Sequence, residues 1–345
     1  MCDSRGSDIA KILAYVAGSL LLGALIAPWL YNLGKGLAEI TVGKQSNAFI
    51  AWLAAECARA QFSRYFDRSV ALAAAILFPP LFQWLKVGRT PVRFRDTPWS
   101  LRLPDSVVAC NEGQPLRKNP RGLRDALGGF LVAVVPLIVI GMLLLANGWF
   151  QLSDACHISL TAEAWRVLAK ALRLGIGVGL VEEVIFRGVL LGIFLRAMRP
   201  ASALVSLSLL FALLHFLQPS GAELDHPDDM MAGFTLLRMI LATFADPMVL
   251  LVKVLPMFTV GFVLGYARLR TASLWLPAGL HAGWVVGVVA FKSLTLPGAN
   301  SPPGSQFFVG DSLREGIIPL AMVVATGFLV HALTNRHEQP HQDTP

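Results

Sequence analysis

The chain has 345 residues, of which 55% are hydrophobic and only 15% are charged. A soluble domain carries about 25% charged residues, so this composition excludes an ordinary soluble protein and indicates a polytopic membrane protein. The formal net charge of +7 predicts basic loops on the cytoplasmic side of a lipid bilayer rather than a nucleic-acid partner.

The apolar segments predict an all-α fold, a polytopic bundle of about eight transmembrane helices with short interfacial helices between some of them. In chain order, the predicted spans are 9–33, 69–85, 126–146, 171–200, 201–217, 247–266, 273–291 and 316–333. The middle of 41–68 is amphipathic, which is typical of a helix along the membrane surface. The segment 231–244 is apolar but too short to cross a bilayer, so we expect it to be partly inserted.

Charge and proline divide the chain into four predicted regions. A first pair of spans with its amphipathic connection occupies 1–85, and a basic linker follows at 86–125. The main helix bundle is expected at 126–294, and an external loop, a last span and a polar tail at 295–345. Because cytoplasmic loops are enriched in lysine and arginine, we expect the linker and both termini to be cytoplasmic.

The fourth predicted span, 171–200, carries charges where a membrane helix is normally apolar. Glu182, Glu183 and Arg187 lie near its middle. Charges at that depth are costly unless they are paired or line a wet cavity, so these residues mark a candidate functional site. Residues four apart share one face of a helix, so Glu183 and Arg187 can pair. Glu182 lies about 100° around the helix and is expected to point into the bundle.

The same span also carries Gly175, Gly179, Gly188 and Gly192. Small residues allow membrane helices to approach closely. We therefore expect tightly packed neighbours around the charged residues.

Two further spans each carry a histidine in an apolar run, at His215 and at His281. A single intramembrane histidine is more often a hydrogen-bond partner between helices than a functional group. A glutamate and two histidines on three neighbouring helices, however, can polarise one water, with the glutamate as general base. A histidine N–H can then stabilise the oxyanion of a tetrahedral intermediate. The combination predicts hydrolysis of an acyl bond, most simply a peptide bond.

These residues resemble the motifs of the CPBP family of intramembrane endopeptidases, also called Abi/CAAX proteases, which includes the type II CAAX prenyl endopeptidases. The sequence EEVIFR from Glu182 to Arg187 matches the family's EExxxR motif. The sequence FALLH from Phe211 to His215 matches its FxxxH motif. The order and spacing agree, and the resemblance covers about residues 122–294.

The third motif of the family, HxxxN, is incomplete in this chain. His281 stands at its first position, but Val285 stands where the family often has asparagine. A valine side chain cannot donate a hydrogen bond. Either another group supplies the second donor to the oxyanion, or the activity is reduced or altered.

The resemblance implies a bundle of transmembrane helices around a cavity that is open to a membrane-embedded or lipid-anchored peptide substrate. It implies that Glu182 and His215 activate water and that His281 contributes to the oxyanion pocket. Glu183 and Arg187 would hold the helix and the site in shape. The expected location is a bacterial inner or plasma membrane.

A metal ion is the second mechanism that the resemblance leaves open, because many members of the family are called metalloproteases. Glu182, His215 and His281 could ligate zinc with one open coordination position. No predicted span carries an HExxH sequence, since the one such pattern, HEQPH at 337–341, lies in the polar tail, and a metal-free glutamate–water mechanism uses the same three residues.

Two other functions stay open from the sequence. The intramembrane glutamates and histidines could form the proton relay of a transporter, although the chain shows no internal repeat of the kind that transporters have. Val285 favours a catalytically idle protein that binds a peptide in the same cavity, as a scaffold or self-protection protein would. The sequence specifies neither the substrate nor the oligomeric state.

Overall fold

The computed structural model describes residues 4–41, 47–85, 121–153, 162–217, 224–310 and 312–335. This part of the chain is almost entirely helical, as the sequence predicts, with one pair of short strands. The basic linker predicted at 86–125 falls mostly outside the described residues.

The observed helices follow the order of the predicted apolar segments. They are α1 (Ser4–Thr41), α2 (Ala48–Arg59), α3 (Phe62–Trp84), α4 (Gly122–Ala146), α5 (Ala162–Glu183), α6 (Leu191–Ala197), α7 (Pro200–Phe216), α8 (Ala232–Thr243), α9 (Pro247–Val249), α10 (Leu255–Thr271), α11 (Trp275–Leu294), α12 (Ser305–Val309) and α13 (Ile317–Asn335). A π-helical turn, Val184–Leu190, joins α5 to α6, and a second one, Leu250–Val254, joins α9 to α10.

Four helical segments of the described chain are long and apolar enough to cross a membrane, namely Asp8–Thr41, Gly122–Ala146, Pro247–Thr271 and Ile317–Thr334. The protein is therefore an integral membrane protein, while the prediction of eight spans is confirmed only in part. Two of the remaining predicted segments, α7 and α8, form apolar helices that are shorter than these four.

The chain divides into two compact units, and the first comprises Met1–Val92 and Leu213–Pro247. Within it, α1 packs against α2, α3 and α8, and the core contains Phe62, Phe66 and Leu236. A side chain at Gly233 of α8 would collide with the backbone carbonyl of Ala24 on α1. The glycine therefore allows these two helices to approach at backbone distance.

The second unit comprises Arg93–Ala212 and Met248–Pro345, and α11 packs there against both α4 and α5. Glycines one turn apart on α11 line the contact with α4. A Cβ atom at Gly283 would lie 2.5 Å from the carbonyl oxygen of Phe130, and one at Gly279 would collide with the carbonyl of Ala126. Any larger residue at these positions would push α4 and α11 apart.

The glycine packing predicted for the fourth span is confirmed at two of the four named positions. A Cβ atom at Gly175 would lie 2.6 Å from Val286 of α11, and one at Gly179 would lie 3.1 Å from the backbone nitrogen of Ala282. The prediction is wrong for Gly192, where a Cβ atom would meet nothing within 4 Å. At Gly188 the nearest atom, from Leu274, would lie at an ordinary contact distance of 3.7 Å. The close approach of α5 and α11 thus ends just before the charged residues.

Two strands that the all-α prediction misses lie in the second unit. β1 (Phe150–Leu152) pairs antiparallel with β2 (Thr295–Pro297), so that the chain after α4 meets the chain after α11. Strands of three residues are too short to show the alternation of apolar and polar residues that reveals a strand in a sequence.

Candidate active site

Glu183 and Arg187 form a buried ion pair where α5 passes into the π-helical turn. Arg187 Nη1 donates to Glu183 Oε1 at 2.8 Å, and each side chain is only 1% exposed. The pairing predicted from their spacing is confirmed. Removal of one partner would leave the other charge buried and uncompensated, which costs about 3–5 kcal/mol in measured cases.

The guanidinium of Arg187 also connects the π-helical turn to α10. Arg187 Nη2 donates to the backbone carbonyl oxygen of Gly261 at 3.1 Å. A Cβ atom at Gly261 would lie 3.1 Å from the Phe211 ring, so α10 lies close to α7 at this point. Both terminal nitrogens of Arg187 are therefore occupied inside the protein. π-helical turns are rare and are frequently found at functional sites.

Phe211 links the first two motifs by direct contact. The centre of its ring lies 4.5 Å from Cζ of Arg187 and 6.1 Å from the centre of the His281 ring. Phe211 is completely buried, and a cation at this distance from an aromatic ring is stabilised by about 0.5–2 kcal/mol. The sequence showed the spacing of Phe211 from His215 but gave no sign of this contact with Arg187.

His281 lies between the two glutamates. Its Nδ1 is 2.8 Å from Glu183 Oε1, and its Nε2 is 3.9 Å from Glu182 Oε2. A carboxylate can only accept, so the hydrogen of this bond is assigned to Nδ1, and Nε2 faces Glu182. The distance to Glu182 is too long for a direct hydrogen bond. Glu183 thus fixes the orientation of the His281 ring while it also neutralises Arg187.

The side chains of the two neighbouring glutamates differ in their exposure. The side chain of Glu183 is 1% exposed, whereas that of Glu182 is 26% exposed. Only Glu182 of this pair can therefore meet a substrate or a water molecule without a rearrangement of the helices. Their roles in catalysis stay predictions.

His215 lies near the end of α7, one turn after Phe211, and is partly exposed. It belongs to the part of α7 that is assigned to the first unit, whereas Phe211 belongs to the second. The predicted action of His215 together with Glu182 therefore stays a prediction.

In the described residues, no group of three or more His, Cys, Asp or Glu side chains is arranged to hold a metal ion. The zinc site predicted from Glu182, His215 and His281 stays a prediction, and a metalloprotease subtype gains no support.

Two arginines that sequence reasoning missed lie in electrostatic range of the glutamates. Arg268, in the last turn of α10, is 2% exposed and interacts with Glu183. Arg314, on the loop before α13, is half-buried and interacts with Glu182. Both are separated from 182–187 by more than one helix in the sequence, so no local pattern could have joined them to the motif.

These contacts define a membrane-embedded helix bundle with a cluster of acidic, basic and imidazole side chains at the meeting of α5, α10 and α11. Residues 164–287 match the family model described as "Type II CAAX prenyl endopeptidase Rce1-like". The chain therefore carries an Rce1-like domain over this segment, and the resemblance to the CPBP endopeptidases is confirmed. No curated protein and no solved structure matches the chain.

The match includes all five of the predicted site residues, from Glu182 to His281, and leaves out α1 to α4, α12 and α13. The Rce1-like family is a family of proteases, which supports an enzymatic function. Neither the transporter nor the idle binding protein is favoured by any of these findings.

Proposed function

We propose that the protein is an intramembrane endopeptidase that hydrolyses a peptide bond of a membrane-embedded or lipid-anchored substrate. The observation that carries the proposal is the asymmetric arrangement of Glu182, Glu183 and His281 inside the Rce1-like segment. One carboxylate is buried and holds the imidazole through Nδ1, while the other is partly exposed and places Oε2 3.9 Å from Nε2. A purely structural ion pair would need only the buried carboxylate.

Glu182 is the general base in this mechanism. It removes a proton from a water molecule as the water oxygen forms a bond to the carbonyl carbon of the substrate, and the carbonyl oxygen becomes an oxyanion. The bond from carbon to nitrogen then breaks, and Glu182 returns the proton to the leaving nitrogen. His215 shares in the activation of water, as the FxxxH motif implies.

His281 acts on the oxyanion through Nε2. The bond from Nδ1 to Glu183 keeps Nε2 directed toward the accessible carboxylate of Glu182. Nε2 donates a hydrogen bond only when both ring nitrogens carry hydrogen, and it accepts one in the neutral ring with hydrogen on Nδ1. The role in the oxyanion pocket therefore uses the doubly protonated ring.

The first substrate to test is a prenylated C-a-a-X peptide, because the matching family is described by that activity. A prenyl chain would hold such a peptide in the bilayer, where an intramembrane site can reach it. The assay uses purified protein in liposomes with an internally quenched, farnesylated peptide and with a membrane-anchored peptide that lacks the prenyl group.

The decisive variant is Glu182→Gln, which keeps the size of the side chain and removes the base. We expect a loss of cleavage of about 100-fold or more, in the range measured for general bases. Glu56→Gln on α2 is the matched control, because Glu56 is partly exposed and lies 3.7 Å from Arg59. Equal cleavage by the two variants, or no cleavage of either peptide by the unchanged protein, would refute the proposed function.

A further inference from the structure

The first half of α5 carries three basic side chains on one face. Arg166, Lys170 and Arg173 are exposed, and the gaps between them are four and three residues. At about 100° per residue, this spacing places all three within about 60° of one another around the helix. No salt bridge joins any of them to another side chain that the structure describes. Their charges are therefore available to a partner outside the bundle.

The opposite face of α5 packs inside the second unit. Ala171 is completely buried, in a cluster with Val134 of α4 and Val286 of α11. Gly175, one turn further along, allows α11 to approach closely. On average, about half a turn of the helix separates this packed face from the basic side chains. The basic face is thus directed away from α11, toward the surroundings of the protein.

Further along α5, the same outward face becomes apolar. A Cβ atom at Gly177, one turn after Arg173, would meet nothing within 4 Å. Leu180 and Val181 follow on that face and are 42% and 59% exposed. In an integral membrane protein, exposed apolar side chains of a helix face the lipid chains, whereas lysine and arginine near its end reach the headgroups. The boundary of the hydrocarbon core therefore crosses α5 between Arg173 and Gly177.

An exposed tryptophan supports this position of the boundary. Trp165, which precedes Arg166 in the chain, is 69% exposed. Tryptophan is enriched at the level of the lipid headgroups, because its ring is largely apolar and its N–H is polar. Three cations and a tryptophan next to an exposed apolar face match the chemistry of that layer.

We propose that Arg166, Lys170 and Arg173 form a binding surface for the headgroups of anionic phospholipids. Basic residues near a membrane surface are attracted to acidic lipids, and a guanidinium can bind two oxygens of one phosphate at once. The inference goes beyond the proposed function and does not depend on it. It also bears on the site, because Glu182 lies about 13 Å beyond Arg173 along α5. Bound headgroups fix the level of Glu182 in the bilayer.

The test measures lipid binding by native mass spectrometry of the purified, delipidated full chain, titrated with phosphatidylglycerol or phosphatidylcholine. The unchanged protein should prefer phosphatidylglycerol by about 100-fold at low salt, since each of the three basic residues contributes about fivefold. The triple variant Arg166→Gln/Lys170→Gln/Arg173→Gln should reduce this preference to below about fivefold.

A second triple variant, Arg59→Gln/Arg64→Gln/Arg238→Gln, is the matched control. It removes the same number of exposed charges, but from three different helices of the first unit. We expect its preference for phosphatidylglycerol to stay within about threefold of that of the unchanged protein. Equal losses in the two triple variants would overturn the proposal, because the preference would then follow the net charge alone.

Two further results come from the unchanged protein, so the proposal stays testable even if the first triple variant does not fold. Equal affinity for the two lipids would overturn it. Excess inorganic phosphate should not displace bound phosphatidylglycerol, because the acyl chains of the lipid also contact the apolar half of the face. Displacement by phosphate would overturn the assignment to a lipid.

The outcomes are independent of the cleavage assay. A protein that cleaves its peptide in a Glu182-dependent way but binds both lipids equally would refute the lipid surface alone. A protein that prefers phosphatidylglycerol through the three basic residues but cleaves neither peptide would refute the proposed function alone.

Discussion

Side-chain donors of the first unit bond to backbone carbonyls at a helix end, whereas the second unit also holds a buried carboxylate that is bonded to two side chains. In the first unit, the buried Tyr65 donates to the carbonyl oxygen of Cys57 and the partly buried Lys35 to that of Ala60. In the second, Arg187 donates to Glu183, and His281 is bonded to the same oxygen. Carbonyls at helix ends need partners in any fold.

No fold requires a carboxylate inside a membrane bundle, so the position of Glu183 needs a separate explanation. Burial of Glu183 costs free energy that only the surrounding charges and hydrogen bonds offset. This difference supports the proposed function, because a stable helix bundle does not require a buried carboxylate.

The substitution that should change stability most is the one that removes the buried cation Arg187. Arg187→Met should lower the free energy of unfolding by about 3–5 kcal/mol, because Glu183 would stay buried without its partner. Arg59→Met in the first unit removes a cation whose side chain is 72% exposed, and the effect there should be below about 0.5 kcal/mol. Thermal unfolding in detergent measures both, and similar shifts for the two variants would contradict the account.

Glycine substitutions should give the next largest effect. Gly279→Ala forces a methyl group against the carbonyl of Ala126, and we expect a loss of stability of about 1–3 kcal/mol, as for overpacked sites. Gly192→Ala places the same methyl group where no atom lies within 4 Å. It should leave stability unchanged or raise it by up to about 1 kcal/mol. Equal losses in unfolding experiments would show that the contact of α4 with α11 is looser than described.

Aromatic substitutions should separate stability from activity. Phe211→Leu and Phe62→Leu each remove a buried ring, but only Phe211 contacts a site residue. Both should lower stability by a similar amount, about 1–2 kcal/mol. Only Phe211→Leu should also lower kcat, by about tenfold, because Arg187 and Glu183 lose part of their support. A fall in kcat of the same size for Phe62→Leu would remove the special role of Phe211.

The parts of the fold that the sequence predicts are those with local signals. Apolar runs locate the long helices, and the spacing of four residues predicts the Glu183–Arg187 pair, which the structure contains. The β1–β2 pair was missed because three residues show no periodicity. The loose packing at Gly192 was missed because a glycine in a sequence does not reveal which face has a neighbour.

The site itself could be predicted only as a set of residue types. The motifs identify Glu182 and His281 as site residues. They do not show that Glu183 is hydrogen-bonded to Nδ1 of His281, or that Glu182 lies on the side of Nε2. Arg314 gave no signal at all, because its relation to Glu182 is created by packing across more than 100 residues of chain. Contacts of that kind depend on tertiary structure rather than on local pattern.

The most direct test of the account is a single turnover in water enriched in oxygen-18, with the product peptides and the digested protein analysed by mass spectrometry. If Glu182 acts as a base on water, one labelled oxygen enters the new carboxyl group of the product and none enters the side chain of Glu182. The Glu182→Gln variant should yield about 100-fold less labelled product in the same time. Label in the Glu182 side chain, or labelled product from the Gln variant at the rate of the unchanged protein, would contradict the account.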